Sequence, residues 1–126
     1  SRRLWFRAHS PGRYPLWVAE EDSQLAGWLG FQMFYGRPAY AATAEVSIYI
    51  APEYQGRGFG RALLAEAIHR APSLGLKTLL CLVFGHNAPS LRLGASQGFE
   101  PWGELPGVAD LDGIARNLTI LGRKVG

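Results

Sequence analysis

The segment from Gln55 to Arg61 reads QGRGFGR, and a run with helical spacing follows it at once. Glycine at 56, 58 and 60 removes every second Cβ, so main-chain N–H groups can approach a bulky anion closely and φ can turn positive. A strand before such a loop and a helix after it complete an anion site, because the first helical N–H groups lack an intrahelical acceptor and the helix dipole favours negative charge. Phosphate suits this chemistry. The dinucleotide fingerprint G-x-G-x-x-G is absent, since Gly56-x-Gly58 leads to Arg61 where a third glycine is needed. The P-loop pattern, Gly-Lys followed by Ser or Thr, is absent as well. Taken alone, the glycines fit either another kind of phosphate cradle or a turn that merely lets helix and strand pack. Arg57 and Arg61 are either phosphate donors or solvated charges at a helix end.

Other chemistry-bearing residues are sparser. Asn87, before Pro89 and Ser90, has the type and place of a helix N-cap. His86 beside it reads as an ordinary loop histidine. His69 falls late in a helical run, where a cation suits the dipole, and His9 reads as a helix-end residue. Cys81, the one cysteine, sits in an apolar run and reads as a small hydrophobe. There is no C-x-x-C and no histidine pair at ligand spacing, so no metal site is expected.

The elements that must position these residues are legible in outline. WFRAH followed by Pro11, Gly12 and Pro15 reads as a helix tail and a turn. Tyr14–Glu21 and Gln24–Phe34, separated by Asp22 and Ser23, read as an antiparallel hairpin. Over Ala44–Ile50, Val46, Ile48 and Ile50 alternate with Glu45, Ser47 and Tyr49, a strand ended by Pro52. A helix over Gly58–Arg70 buries a stripe of Leu63, Leu64, Ala67 and Ile68 and closes at Pro72 and Gly75. Thr78–Phe84 is continuously apolar, as a strand buried on both faces would be. Asn87 opens a short helix that ends at Gly98. Phe99–Glu104 reads as a strand, Leu105–Gly113 as turn-rich, and Asn117–Leu121 as a last strand. The fold class is α/β (α+β): a mixed, mostly antiparallel central sheet with flanking helices.

The chain has 126 residues, enough for one domain with a buried core over 1–126. A single cysteine cannot form a disulfide within the chain, so a reducing, cytoplasmic setting is expected. No run approaches the roughly 18 apolar residues of a membrane span. The first residues lack the apolar stretch of a secretory signal. A net charge of +3 without a basic block favours small anions and argues against nucleic acid.

Gln55, Gly58 and Gly60, directly after EVSIYIAPEY, give Q-x-x-G-x-G, which resembles the acyl-CoA pyrophosphate loop of the GNAT N-acetyltransferase superfamily. WFRAH, RYPLWVAEE, GRPAYAATAEVSIYI, QGRGFGRALL, HNAPSLRL and Gly98–Phe99 follow one another as in its phosphinothricin acetyltransferase branch. The resemblance implies an N-acetyltransferase that takes acetyl from acetyl-CoA and gives it to the amine of a small, amino-acid-like substrate. It implies that Ile48, Tyr49 and Ile50 pair with the pantetheine amides. Gln55 and Gly56, Arg57, Gly58, Phe59, Gly60 and Arg61 would hold the pyrophosphate. Asn87, with Ser90 one turn on, would contact the cofactor arm near its thiol. Glu45 matches the branch's proposed general base, and with Arg37 and Tyr40 it would bind the acceptor. Backbone near Ile50, at a bulge in the strand, would hold the oxyanion. A structural role for Glu45, in a salt bridge with Arg37, competes with the catalytic one. The branch implies a homodimer.

Three departures from the branch stand out. The chain opens at Ser1–Trp5 inside what would be the second helix, so the expectation is an N-terminally truncated domain. Gly94 follows N-x-x-S-x-x-L where the branch carries histidine and many relatives carry a tyrosine general acid; water, Ser90 or direct thiolate departure would have to serve. ADLDGIARNL replaces the segment that shapes the acceptor pocket. These departures leave a degenerate, non-catalytic acyl-CoA-binding module as the alternative.

Overall fold

The computed structural model describes residues 7–8 and 16–126, the first two by backbone alone. The strands are β1 (Arg7–Ala8), β2 (Leu16–Glu21), β3 (Gln24–Met33), β4 (Thr43–Ile50), β5 (Thr78–Phe84), β6 (Glu100–Leu111) and β7 (Ile114–Lys124). Helix α1 (Phe59–Arg70) joins β4 to β5, and α2 (Ala88–Ser96) joins β5 to β6. The strands form one sheet in the order β1-β2-β3-β4-β5-β7-β6, antiparallel everywhere except between β4 and β5. A parallel pair needs a crossover, and α1 supplies it.

That parallel ladder is short. It joins Thr43–Glu45 to Thr78–Leu80 and stops. β4 stays paired to β3 as far as Ile50, and β5 stays paired to β7 as far as Phe84. Each strand therefore follows its own half of the sheet, and a V-shaped gap opens between them. Phe59, Leu63, Leu64 and Ala67 of α1 are buried with Leu29, Phe31, Val46 and Leu79 of the sheet. Fully burying leucines such as Leu63 and Leu64 contributes about 1.5–3 kcal/mol each. Helix α1 carries no side-chain cap, but Gly58 sits at its N-cap with φ 88°. The β2–β3 turn places Asp22 and Ser23 at φ 52° and 68°, the left-handed pair that a two-residue hairpin requires.

Several expectations need correction. Arg7–Ala8, expected in a helix tail, are a short strand paired with Trp17–Val18. The rest of that stretch, His9, the turn after it, Tyr14 and the Ser1–Trp5 segment lie outside the described residues. Leu105–Gly113 is mostly strand: β6 runs to Leu111 and absorbs Pro106 and Gly107 in a register shift between Leu105 and Ala109. The turn is only Asp112-Gly113, so β6 and β7 make a long hairpin. β5 is buried at Thr78–Cys81, but Leu82 is 39% exposed and Val83 and Phe84 are half-buried, because β4 has already turned away. No bulge interrupts β4 against β3; the shift in this half of the sheet lies at Ala19/Glu20 of β2.

Candidate active site

The glycine loop splits into two functions. Gly56 and Gly58 have φ of 73° and 88°, conformations that only glycine adopts cheaply. They set the path of the main chain into α1, whose first hydrogen bond runs from Ala62 N–H to the Gly58 carbonyl at 3.1 Å. The N–H groups of Gly60 and Arg61 precede that bond and have no acceptor in the helix. Gly60 does a different job. A Cβ there would stand 3.2 Å from Leu93 and 3.7 Å from Ile50, so its smallness lets α1 seat against α2 and β4. The two readings of the glycines thus apply to different members of the same loop.

The loop is tied to its surroundings on both sides. Gln55 Nε2 donates to the Ile50 carbonyl at 3.3 Å, finishing the end of β4. Tyr54, buried, donates its hydroxyl to Gln24 at 3.2 Å. The Arg57 side chain, though 42% exposed, is engaged: its Nη2 donates to both Glu21 carboxylate oxygens at 3.0 and 2.9 Å. Phe59 is core, edge-on to Tyr54 at 5.3 Å. Arg61 is exposed at the mouth of the helix and makes no ion pair or hydrogen bond among the described residues.

Beside the loop, the gap between β4 and β5 is a cleft of about 300 Å³. Val46, Ser47 and Ile48 line one wall, Cys81 to Phe84 the other, and Asn87, Ser90, Leu93 and Gly94 of the α2 region close one side. Asn87 Oδ1 accepts from the Ser90 N–H at 3.3 Å, so it is the N-cap that its type suggested. Its amide nitrogen has no partner among the described residues and is available to the cleft it lines. Among the sequence candidates, Ile48, Asn87 and Ser90 come together here. Ile50 lies under Gly60, and Tyr49 points to the other face, stacked on Trp28 at 6.1 Å.

Glu45 stands at the last rung of the β4–β5 ladder, opposite Leu80 and Gln32, where the two strands part. It is half-buried, and its carboxylate makes no ion pair or hydrogen bond among the described residues. The competing salt bridge to Arg37 is therefore not formed. Arg37 lies instead over the Tyr35 ring at 5.5 Å, in an exposed cluster where Tyr35 and Tyr40 meet edge-on at 5.4 Å. Burial, and to a smaller degree the Glu45 carboxylate, pushes the Cys81 thiol up to about 12. That thiol stays protonated beside the cleft.

Sequence reasoning missed three contributors. The outer residues of β5 form a cleft wall, for which the uninterrupted apolar run was the only signal. Glu21 was not singled out, and nothing local marks it, because its partner is 36 residues away. Leu121 was unforeseen: a Cβ on Gly94 would lie 2.7 Å from its Cδ1. The space beside Gly94 is thus occupied by a side chain of β7.

The acetyltransferase (GNAT) family profile matches residues 1–99. The chain belongs to the GNAT acetyltransferase family. It is 50% identical over 125 residues to YwnH of Bacillus subtilis, a protein named provisionally as a phosphinothricin acetyltransferase, covering 98% of this chain and 76% of that one. It is 31% identical over 121 residues to the L-amino acid N-acyltransferase MnaT of Escherichia coli, covering 96% and 70%. The GNAT phosphinothricin acetyltransferase from Sinorhizobium meliloti, solved in complex with acetyl-CoA, superposes with a TM-score of 0.86 at 31% identity over 90% of this chain and 62% of that one. The mixed sheet with its flanking helices is the GNAT fold, and the activity is that of an acetyl-CoA-dependent N-acetyltransferase. The cleft between β4 and β5 and the positive-φ glycines before α1 lie at opposite ends of the outer half of β4, Val46–Ile48 lining the cleft and Ile50 leading into the loop.

Proposed function

We propose that this GNAT enzyme acetylates the α-amine of a small amino-acid-like acceptor of the phosphinothricin or methionine sulfoximine type. The supporting observation is the position of Glu45, half-buried and without an ion pair or hydrogen bond among the described residues, at the last rung before β4 and β5 separate. Acetyl-CoA lies with its diphosphate on the amides of Gly56–Arg61 and its pantetheine along Ile48–Ile50. Asn87 Nδ2 and Ser90 steady the arm near the sulfur. Glu45 removes a proton from the acceptor ammonium, directly or through water. The freed nitrogen attacks the thioester carbon; the C–N bond forms, the nitrogen gives its second proton to water, the C–S bond breaks, and the electron pair leaves with sulfur. With Leu121 in the place of a side chain at Gly94, the thiolate takes its proton from water or from the Ser90 hydroxyl, which lines the same cleft. Arg37 and Tyr40 form the acceptor side, where a guanidinium suits a carboxylate or phosphinate.

The names of the relatives support this acceptor class: MnaT is an L-amino acid N-acyltransferase, and a Salmonella typhimurium relative at 31% identity is named an L-methionine sulfoximine/L-methionine sulfone acetyltransferase. A homodimer is supported by the edge strand β6 and its hairpin partner β7, which expose Trp102, Leu105, Val108 and Ile114. The buried free thiol of Cys81 agrees with a reducing cytoplasm. The test combines calorimetry with CoA and thiol release from acetyl-CoA across a panel of amino acids, phosphinothricin and methionine sulfoximine. Release that depends on a free α-amine is expected. CoA binding with no turnover on any amino-acid-like amine would exclude this acceptor class.

A further inference from the structure

Arg57 lies between the two glycines of the loop that have positive φ, yet its side chain runs back to the β2–β3 hairpin. There it meets Glu21, the last residue of β2, whose side chain is 14% exposed. The guanidinium also lies over the rings of Tyr54 and Phe59 at 5.2 and 5.5 Å. Those rings are buried and edge-on to each other, so they form a fixed floor. A second tie runs in parallel, from the Tyr54 hydroxyl to Gln24, the first residue of β3. Two residues flanking the β2–β3 turn thus hold Arg57 of the loop and Tyr54 just before it. Without these ties, a glycine on either side would leave the main chain around Arg57 with wide conformational freedom.

We propose that Glu21 and Arg57 form a positioning clamp for the donor's diphosphate: the ion pair holds the Gly56–Gly58 main chain in its anion-binding shape, and the Arg57 charge acts on the loop rather than on phosphate. This deepens the reading of the loop given above and rests on it. The pairing also neutralises the Glu21 carboxylate, which would otherwise repel a bound anion. A planar guanidinium both stacks on rings and takes a carboxylate, which an ammonium does not reproduce.

The test uses Glu21→Gln, Arg57→Gln, the double variant and Arg57→Lys. Each is assayed with acetyl-CoA and with S-acetylpantetheine, a donor that lacks the diphosphate, and each melting temperature is measured. A clamp predicts that both single variants raise KM for acetyl-CoA about tenfold with kcat nearly unchanged, as misplacement of a binding group does. The double variant should be no worse than either single one, Arg57→Lys should rescue only in part, and turnover of S-acetylpantetheine should stay at the wild-type level. If Arg57→Gln raises KM while Glu21→Gln lowers it or leaves it unchanged, Arg57 itself grips phosphate and the clamp is wrong. Equal losses with both donors would make the pair merely structural and overturn it too. Wild-type enzyme that turned over both donors with the same KM would refute diphosphate binding by the loop itself, and the clamp with it.

Discussion

Replacing Glu45 by glutamine separates chemistry from architecture. The side chain is half-buried and holds no ion pair or hydrogen bond among the described residues, so its neutral isostere strands no partner. A change of that kind stays within about 0.5 kcal/mol of the original stability. For a chain of this size that is a melting shift of roughly 2 °C. Loss of a general base costs about 10²–10⁴ in rate. At ~1.4 kcal/mol per decade, that is about 3–5 kcal/mol on the barrier. The two effects differ several-fold, so kinetics and melting distinguish them. KM for acetyl-CoA should hold, because the loop amides lie beyond the far end of β4. Released CoA can be read with an aromatic disulfide reagent, and the buried, protonated Cys81 adds little background. A Glu45→Gln enzyme that retains kcat within threefold refutes the assignment of the base. So does one that loses activity only in proportion to a large drop in melting temperature.

Other outcomes follow from the same geometry. Gly94→Ala forces a Cβ to within 2.7 Å of Leu121, a 3% exposed residue on a strand paired on both sides, and should cost about 1–3 kcal/mol. Thermal unfolding should show a fall of roughly 4–12 °C, partly recovered when Leu121 is also shortened; an unchanged melting temperature contradicts the packing. Asn87→Ala should lose about 1 kcal/mol of helix capping and also raise KM for acetyl-CoA. Asn87→Asp should keep the cap but not the donor, so restoration of KM by aspartate would rule out a role for Nδ2. The Cys81 thiol is pushed from 9.0 to about 12, so the folded chain keeps a proton that the unfolded chain loses. Its stabilising contribution is whole below pH 9 and declines as pH rises from 9 toward 12, by roughly 4 kcal/mol in all. Denaturant titrations of wild type and Cys81→Ala should therefore converge by about 2 kcal/mol between pH 8 and 10.5; parallel curves would refute it.

What the sequence revealed was whatever local spacing controls. The alternation in β4, the stripe of α1, the cap of α2 and the glycine loop each follow from a few neighbouring residues, and all four are found near their expected bounds. What it hid depends on contacts across the chain. The Arg7–Ala8 strand exists because β2 offers it an edge, and two residues have no periodicity to read. Pro106 and Gly107 signal a turn, but pairing with β7 continues on either side and absorbs them. The outer half of β5 is as apolar as the inner half, yet it faces a cleft, because its neighbour's direction is set by β3. Likewise, the meaning of Gly94 depends on Leu121, and that of Arg57 on Glu21.

The parting of β4 from β5 opens the middle of the sheet. A molecule that lies there with amides of its own can act as an inserted strand, meeting the edges of β4 and β5 beyond the end of their shared ladder. With the donor seated as proposed, every catalytic cycle would stitch and unstitch the seam between the two half-sheets. Amide exchange along Val46–Ile50 should then report occupancy directly, and CoA should raise the unfolding temperature in step with its concentration. The cosubstrate would be a temporary part of the fold as well as the source of the acetyl group.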